Sequence, residues 1–231
     1  MDRLHHIRET LPANIRANRR FKRAEFVILD YSSRDGLEDW IRSEMSDHIQ
    51  SGLVLYAQMP GQTRFHMAHA KNVAHRLARG EILCNLDADN FTGYGFAAFL
   101  NRILRPDRLA IVKGNKKGVY GRIALRREHF FKLGGYCEEM RYGWGHEDAD
   151  FAARASRMGM KSIYFRPGGS AIQHDDRERA LNQDIKEVRN SSRRHRIIGQ
   201  RNLRAGQLVA NCNVPWGAGT VLINFQSFLT L

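Results

Sequence analysis

Two short acidic signatures carry the residues best suited to chemistry. The first is Leu86-Asp87-Ala88-Asp89-Asn90, where two carboxylates one residue apart follow an apolar run. Such a pair suits a hard divalent cation that keeps water and phosphate oxygens as its other ligands. The second is Gly143-Trp144-Gly145-His146-Glu147-Asp148-Ala149-Asp150, which places a Glu-Asp pair at the start of a predicted helix.

Length and composition describe a chain with a sizeable core and a strong positive charge. Its 231 residues are 42% hydrophobic, enough for one large α/β domain or two small ones, of which one large domain is favoured. A formal net charge of +13 implies an anionic partner, which could be nucleic acid, a phosphorylated small molecule, an acidic glycan or a membrane surface. A nucleic-acid module is disfavoured, because the chain has no RNA-binding or helix-turn-helix signature and such a module has no use for paired carboxylates.

Cysteine usage and hydropathy bear on the cellular compartment. Cys84, Cys137 and Cys212 are odd in number and widely spaced, which favours ordinary thiols in a reducing compartment over a disulfide framework or a zinc site. No run approaches the ~20 apolar residues of a membrane span, and residues 1–6 lack the apolar core of a signal peptide. The sequence therefore predicts a cytoplasmic protein, with peripheral contact at the inner membrane surface through its basic tail as an extension of that prediction.

Hydrophobic patterning predicts an α/β domain with a mostly parallel central sheet. Continuous apolar runs at 25–30, 53–56 and 82–86 are typical of buried strands. Residues 4–17 and 67–78 have helical spacing. The strand at 82–86 delivers both carboxylates of the first signature to its C-terminal end, which is the edge where open α/β sheets bind ligands.

These residues together resemble family 2 glycosyltransferases of the GT-A fold. The first part of the resemblance is a strand ending in Asp30, Asp35 after it, Lys71-Asn72 on a helix, and a strand ending in Asp87-Ala88-Asp89. The second part is similar to the C-terminal half of the β-1,4-galactosyltransferases and polypeptide N-acetylgalactosaminyltransferases. It comprises Gly121, Leu133-Gly134-Gly135-Tyr136, the tryptophan motif at 143–148, and His174.

The resemblance implies a Rossmann-like nucleotide-diphospho-sugar transferase built as one GT-A domain. Residues 1–113 would form the nucleotide-sugar-binding half, 114–180 the acceptor-side half, and 181–231 a basic C-terminal extension. The implied activity is metal-dependent transfer of a sugar from a nucleotide-sugar, a UDP-sugar for preference, to the hydroxyl of a carbohydrate or lipid-linked acceptor. Inversion by direct displacement is expected, with retention as the alternative because both mechanisms occur among the enzymes that share the motif.

For the metal, the resemblance implies that Asp89 and His174 bind Mn²⁺ or Mg²⁺. Asp87 would reach the ribose, or the metal through water. An imidazole among oxygen ligands shifts the preference from Mg²⁺ toward Mn²⁺. The alternatives are a turn or capping role for Asp89 and an ordinary surface position for His174.

For the acceptor, the resemblance implies that Asp148 is the general base, with Glu147, Trp144 and Gly145 holding the acceptor sugar. The alternatives are compensation of the helix dipole by the acidic pair and a core position for the tryptophan. Asp150 is expected to face solvent or to cap the helix.

For the donor nucleotide, the resemblance implies contacts from Asp30, Asp35 and Lys71. Their alternative roles are turn or helix caps for the two aspartates and a solvated helix position for the lysine. The arginine-rich segment at 189–204 is expected to be a solvated face or flexible tail, or to bind anionic lipid or a lipid-pyrophosphate acceptor.

The N-terminus departs from the GT-A pattern. Such a domain opens with an apolar strand, whereas residues 1–6 resemble the loop and helix that follow that strand, so the first central strand is missing from the 231 residues. We therefore expect either an upstream start, with about five to seven apolar residues ahead of Met1 as a doubly covered strand requires, or a fragment or decayed gene. A catalytically impaired remnant that only binds carbohydrate or nucleotide is the alternative function.

Overall fold

The computed structural model describes residues 1–112, 118–119, 121–166, 168–173 and 185–231. Its helices are α1 (Leu4–Asn18), α2 (Leu37–Glu44), α3 (Ser46–Gln50), α4 (Met67–Leu77), α5 (Phe96–Ile103), α6 (Arg127–Lys132), α7 (Glu147–Arg157) and α8 (Ile185–Arg204). Its strands are β1 (Phe26–Asp30), β2 (Val54–Gln58), β3 (Ile82–Cys84), β4 (Arg108–Val112), β5 (Ile123–Arg126), β6 (Lys161–Phe165), β7 (Thr220–Ile223) and β8 (Ser227–Thr230).

The strands form two four-stranded sheets, β1-β2-β7-β8 and β3-β5-β4-β6. The α/β class is confirmed, but the sheets are mixed rather than mostly parallel. Only β1–β2 and β4–β6 pair in parallel among the described strands, and the other neighbours are antiparallel. Antiparallel neighbours such as β4 and β5 need only a short connection, whereas a parallel pair needs a crossover.

Helix α1 joins the two sheets. Its apolar side packs beside β2, through a cluster of buried residues that includes Ile7, Leu11 and Val54. Its polar side reaches the loop after β3, where the Asn14 side chain donates to the Asn90 carbonyl (2.8 Å) and accepts from the Thr92 N–H (2.7 Å). The helix is therefore held by apolar burial on one side and by satisfied polar groups on the other.

From residue 185 onward, the C-terminal segment forms helix α8 and two strands that belong to the sheet of β1 and β2. The arginine-rich stretch expected to be a solvated face or flexible tail lies within helix α8. Ser191, His195, Gly199 and Asn202 are buried at helical spacing, so the buried face of α8 is polar and gives no apolar stripe to recognise. Strand β7 then pairs with β2. None of the described helices is both long and apolar enough to cross a membrane.

Asp150 is buried, and the expectation that it faces solvent or caps α7 is wrong. Its carboxylate accepts a hydrogen bond from Arg154 Nε (2.8 Å) one turn later, and the two side chains are only 1% and 2% exposed. Arg154 also donates to the carbonyls of Leu133 and Gly135. The pair thereby attaches α7 to the turn at Gly134-Gly135.

This buried pair yields a stability prediction with a matched control. Asp150→Asn leaves the Arg154 charge buried without a counter-ion and should lower the free energy of unfolding by about 3–5 kcal/mol. Glu38 and Arg42 form the same i,i+4 pair at the surface, with side chains 38% and 55% exposed, so Glu38→Gln should cost no more than about 1 kcal/mol. Urea denaturation of both variants measures the difference, and equal losses would contradict the role assigned to the buried pair.

Candidate active site

The two carboxylates of the first signature lie just beyond β3 in different environments. Asp87 is exposed and Asp89 is buried. The neighbouring Asn90 is buried and donates from its amide to Asp89 Oδ1 (2.6 Å) and to the Gly118 carbonyl (2.8 Å). The loop that carries the carboxylates is thus fixed by its own side chains.

A buried arginine that the sequence gave no reason to select orders this loop. Arg122 donates from Nε to Asn90 Oδ1 (2.7 Å) and from Nη2 to the carbonyls of Phe91 and Ser170. Beside it, the Ile172 N–H donates to the Asp89 carbonyl (2.8 Å). The segment leading toward residue 174 therefore lies against Asp89, although His174 itself is outside the described residues.

The buried side chain of Lys71, on α4, reaches the Glu-Asp pair of the second acidic signature. Its ammonium donates to Glu147 Oε1 (3.0 Å) and Asp148 Oδ1 (2.8 Å) and lies 5.0 Å from the centre of the Tyr136 ring. Burial alone would lower the pKa of Lys71, but the two carboxylates outweigh it and hold that pKa well above its ordinary value. A solvated helix position for Lys71 is thus wrong, while its contact with a donor nucleotide stays a prediction.

Asp148 and Asp87 converge on Gly121. A Cβ at Gly121 would stand 3.0 Å from Asp87 Oδ2 and 3.1 Å from Asp148 Oδ2, so the two carboxylate oxygens lie at most about 6 Å apart. Burial, together with the charges of Glu147 and Asp87, raises the pKa of Asp148 to about 7. In Glu147, burial opposes ionisation, but Lys71 prevails and lowers the pKa.

The tryptophan motif is a turn supported by α8. The Trp144 N–H donates to Ser191 Oγ (2.8 Å), and the same hydroxyl donates back to the Trp144 carbonyl (3.0 Å). Gly145, at φ +90°, has the left-handed backbone that favours glycine, and the His195 ring hydrogen-bonds to its carbonyl (2.9 Å). Trp144 remains 38% exposed, which excludes a core position and suits a surface that stacks on a sugar.

The carboxylates of Asp30 and Asp35 accept hydrogen bonds from other parts of the fold. Asp30 is buried and accepts hydrogen bonds from the Tyr56 hydroxyl (2.7 Å) and the Ser33 N–H (2.7 Å). Asp35 accepts from the N–H of Leu4, the first residue of α1 (2.6 Å). Asp30 thus has the turn-capping role, whereas Asp35 binds the start of α1 and makes no capping hydrogen bond to α2, the helix through Trp40 that follows it. The nucleotide contacts of both residues stay predictions.

The carboxylate oxygens just beyond the end of β3 are suitable ligands for a hard divalent cation. Although the residue as a whole is exposed, the surrounding protein removes solvent from the Asp87 carboxyl and raises its pKa; Lys71 opposes this increase, and the charges of Asp89 and Glu147 add to it. A bound cation would relieve that repulsion. Within the described ranges, no three His, Cys, Asp or Glu side chains are grouped so that they could hold a metal ion by themselves.

The two mixed sheets, with carboxylates beyond β3 and a Glu-Asp pair opening α7, share the GT-A fold of solved glycosyltransferases. Residues 112–179 match the family model described as the N-terminal domain of galactosyltransferase. Among curated proteins, no sequence matches the chain significantly.

Solved structures support the same fold. The chain is similar to the mannosyltransferase PcManGT from Pyrobaculum calidifontis in complex with GDP-Man and Mn²⁺, with 20% identity and TM-score 0.57 over 74% of this chain and 53% of that one. It is also similar to the catalytic domain of Drosophila β1,4-galactosyltransferase 7 in complex with xylobiose, with 17% identity and TM-score 0.51 over 75% and 79%. A third is GalNAc-T7 with UDP, GalNAc and Mn²⁺, with 18% identity and TM-score 0.53 over 72% and 41%.

The chain spans about half the length of the mannosyltransferase. The resemblance to GT-A glycosyltransferases is thereby confirmed at the level of fold. The family 2 assignment and the roles of individual residues stay predictions.

The pKa of Asp148 generates a prediction on stability. The carboxyl of Asp148 has a pKa of about 4 in the unfolded chain and of about 7 in the folded protein. At pH values between these two, the folded state keeps the proton that the unfolded state releases. Asp148 therefore destabilises the protein increasingly as pH rises through this window. The Asp148→Asn variant lacks this titration, so its free energy of unfolding relative to wild type should rise by about 1 kcal/mol or more from pH 4 to 7.

Urea denaturation at several pH values measures this difference. The exposed Asp47→Asn variant is the control and should keep the wild-type pH profile. A difference that does not change with pH for Asp148→Asn would contradict the raised pKa.

Proposed function

We propose that this chain is a metal-dependent glycosyltransferase that moves a sugar from a UDP-sugar to an acceptor hydroxyl. The observation that carries the proposal is the placement of Asp148, with its pKa raised to about 7, next to Asp87 at the ligand-binding edge beyond β3. UDP is favoured because GalNAc-T7, of the same fold, is seen with UDP and Mn²⁺. A GDP-sugar, as in the mannosyltransferase complex, is the alternative donor.

Asp148 acts as the general base in this proposal. Lys71 binds its Oδ1, which leaves Oδ2 directed at Gly121 and Asp87. The side chain is 25% exposed, so an acceptor hydroxyl can reach Oδ2. A base with a pKa close to the working pH is both available and able to take up a proton.

The transfer itself is a single displacement. The acceptor oxygen bonds to the anomeric carbon as the bond from that carbon to the phosphate oxygen breaks, and the hydroxyl proton passes to Asp148. This gives inversion. Retention is the alternative if the acceptor attacks from the side of the leaving group.

Asp89 and His174 would hold Mn²⁺ or Mg²⁺, with Asp87 contacting the metal through water or the donor ribose. The cation would neutralise charge on the leaving diphosphate. Asn90 and Arg122 keep Asp89 in place, because together they satisfy the polar groups of its loop. Asp30, Asp35 and Lys71 are proposed to support the nucleotide side of the site through the turns and ion pairs that they build.

On the acceptor side, Trp144 offers an exposed ring for a sugar, with Gly145 allowing close approach. Glu147 is buried and forms an ion pair with Lys71. We propose that this ion pair is its main role and that its predicted contact with the acceptor is secondary. Helix α8 exposes Arg193, Arg196 and Arg204, which favours an acceptor carried on an anionic lipid and peripheral contact with the inner membrane surface. The free thiols of the three cysteines fit a cytoplasmic location.

The metal assignment predicts that UDP binding depends on a divalent cation. Calorimetry should detect UDP binding in the presence of Mn²⁺ and little or none after EDTA treatment. Asp89→Asn should weaken this binding at least about tenfold, because it removes a charged ligand of a hard cation. The exposed Asp107→Asn variant is the matched control, and unchanged affinity in EDTA would refute the metal site.

The base assignment predicts a separation of binding from turnover. Asp148→Asn should leave Mn²⁺-dependent UDP affinity within about threefold of wild type and lower kcat about 10²-fold or more. Release of UDP from a panel of UDP-sugars with acceptors measures turnover. Near-normal kcat would place the base elsewhere, with Glu147 next, and UDP binding without any turnover in wild type would favour an impaired binding remnant.

A further inference from the structure

Five cations are crowded at the end of α1 and in the turns that follow it. All five residues are exposed, and they are Arg16, Arg19, Arg20, Lys22 and Arg23. Between Glu9 and Glu25 the chain contains no acidic residue. Glu25 itself is engaged elsewhere, because its carboxylate accepts a hydrogen bond from Arg79 Nε (3.0 Å). Acidic neighbours along the chain therefore do not offset the charge of this cluster.

The backbone presents four of the cations in pairs, at the corners of two successive turns. The Phe21 N–H donates to the Asn18 carbonyl (2.9 Å), which leaves residues 19 and 20 at the corner of the first turn. The Ala24 N–H donates to the Phe21 carbonyl (3.2 Å), which leaves residues 22 and 23 at the corner of the second. The two pairs are thus held on the surface by an ordered backbone.

Compensation of the α1 dipole explains only part of this cluster. Cations near the C-terminus of a helix are favourable, but the effect falls off within the last turn. Arg16 lies in that turn and Arg19 caps the helix, whereas Lys22 and Arg23 lie beyond it. Like charges held this close repel one another, a cost that an anionic partner would remove.

The loop that follows β3 runs along α1 toward the cations. Three α1 side chains, spaced four residues apart, donate to every second residue of this loop: Thr10 to the Ala88 carbonyl (2.6 Å), Asn14 to the Asn90 carbonyl (2.8 Å) and Asn18 to the Thr92 hydroxyl (2.9 Å). Four helical residues advance about 6 Å, and two extended residues advance about 6.6 Å. The helix and the loop therefore stay in register down to the basic end of α1.

Tyr94 projects from the end of this loop, beside the cations. It is 94% exposed, so almost none of its ring packs on the protein. Both flanking glycines fix the loop. The Gly95 N–H donates to the Ala17 carbonyl in the last turn of α1 (2.9 Å), and a Cβ at Gly93 would stand only 2.6 Å from the Gly168 backbone. A tightly held loop thus carries an aromatic ring into solvent.

This combination has the composition of a bilayer-interface site. A single exposed aromatic residue needs no explanation, but tyrosine rings settle at the headgroup level of membranes and exposed cations are attracted to anionic lipids. Nucleic acid would also neutralise the cations. Single strands, however, are bound in grooves with several stacking rings, whereas Tyr94 is one ring on a projecting tip.

We propose that residues 16–23 and 93–95 form a docking surface for an anionic lipid bilayer. The cations bind the headgroups, and the Tyr94 ring enters the headgroup layer between them. This surface is built from α1, its following turns and the loop after β3, and is separate from the arginines of α8. Arg19 lies about 10 Å along α1 from the level of Asp89, so a docked bilayer would stand close to the candidate active site.

Flotation of the 231-residue chain with lipid vesicles tests the proposal. Vesicles of phosphatidylcholine and phosphatidylglycerol in equal parts should bind at least about tenfold more protein than pure phosphatidylcholine, and added salt should weaken this binding. Arg19→Gln combined with Arg20→Gln should weaken it about tenfold or more. Arg34→Gln combined with Lys132→Gln removes the same charge at other exposed positions and should change it less than about threefold.

Two variants of Tyr94 test insertion of the ring. Tyr94→Ser should weaken binding to the anionic vesicles about threefold or more, because the interfacial ring is lost. In Tyr94→Trp, brominated lipid in the same vesicles should quench the added tryptophan emission, as it does when a ring enters the headgroup layer.

Four outcomes would overturn the proposal. They are equal binding to both kinds of vesicle, equal effects of the two charge-removing pairs, and a loss of binding confined to Arg193→Gln combined with Arg196→Gln on α8. The fourth is a DNA duplex that binds more tightly than the anionic vesicles and is lost in the Arg19 and Arg20 variant. None of these readouts depends on glycosyltransferase activity, so failure here is distinct from failure of the proposed function.

Discussion

The need to neutralise one buried ammonium governs the arrangement of this molecule. Lys71 extends from α4, in the half that carries the β3 carboxylates, to Glu147 and Asp148 at the start of α7. A buried charge without a partner costs several kcal/mol, so the two halves must meet with these groups in register. The acidic pair is divided by its surroundings: Lys71 lowers the pKa of Glu147, whereas burial and the charges of Glu147 and Asp87 raise the pKa of Asp148 to about 7 against the opposing charge of Lys71.

Buried arginines play a similar part around this centre. Arg122 collects carbonyl and amide oxygens from the loops on both sides of Asp89, and Arg154 attaches α7 to the turn before Tyr136. A guanidinium offers five donors in a rigid plane, so each one orders several loop segments at once. The site is thus built on loops whose rigidity comes from charged groups in the interior rather than from apolar packing.

Prediction from sequence succeeded where a local pattern reports directly on local structure. The apolar run before Asp30, the helical spacing of 67–78 and the run before Asp87 all gave elements that the structure contains. It failed for α8, whose buried face is built of Ser191, His195 and Asn202, because periodicity methods detect apolar stripes. It failed for Asp150 as well, since a single charged residue carries no sign of whether its partner will also be buried.

The residues themselves determined the α/β class, the acidic signatures and their position at the ends of a strand and the start of a helix, because these depend on neighbours along the chain. Only the tertiary structure decided that Lys71 meets Glu147 and Asp148 and that Arg122 orders the loop of Asp89. It also decided that the Trp144 ring is exposed while α8 holds its backbone, and that β1 and β3 line opposite sides of a cleft. These facts depend on pairs of residues far apart in sequence. Their energies come from burial and charge compensation, which exist only once the chain has folded.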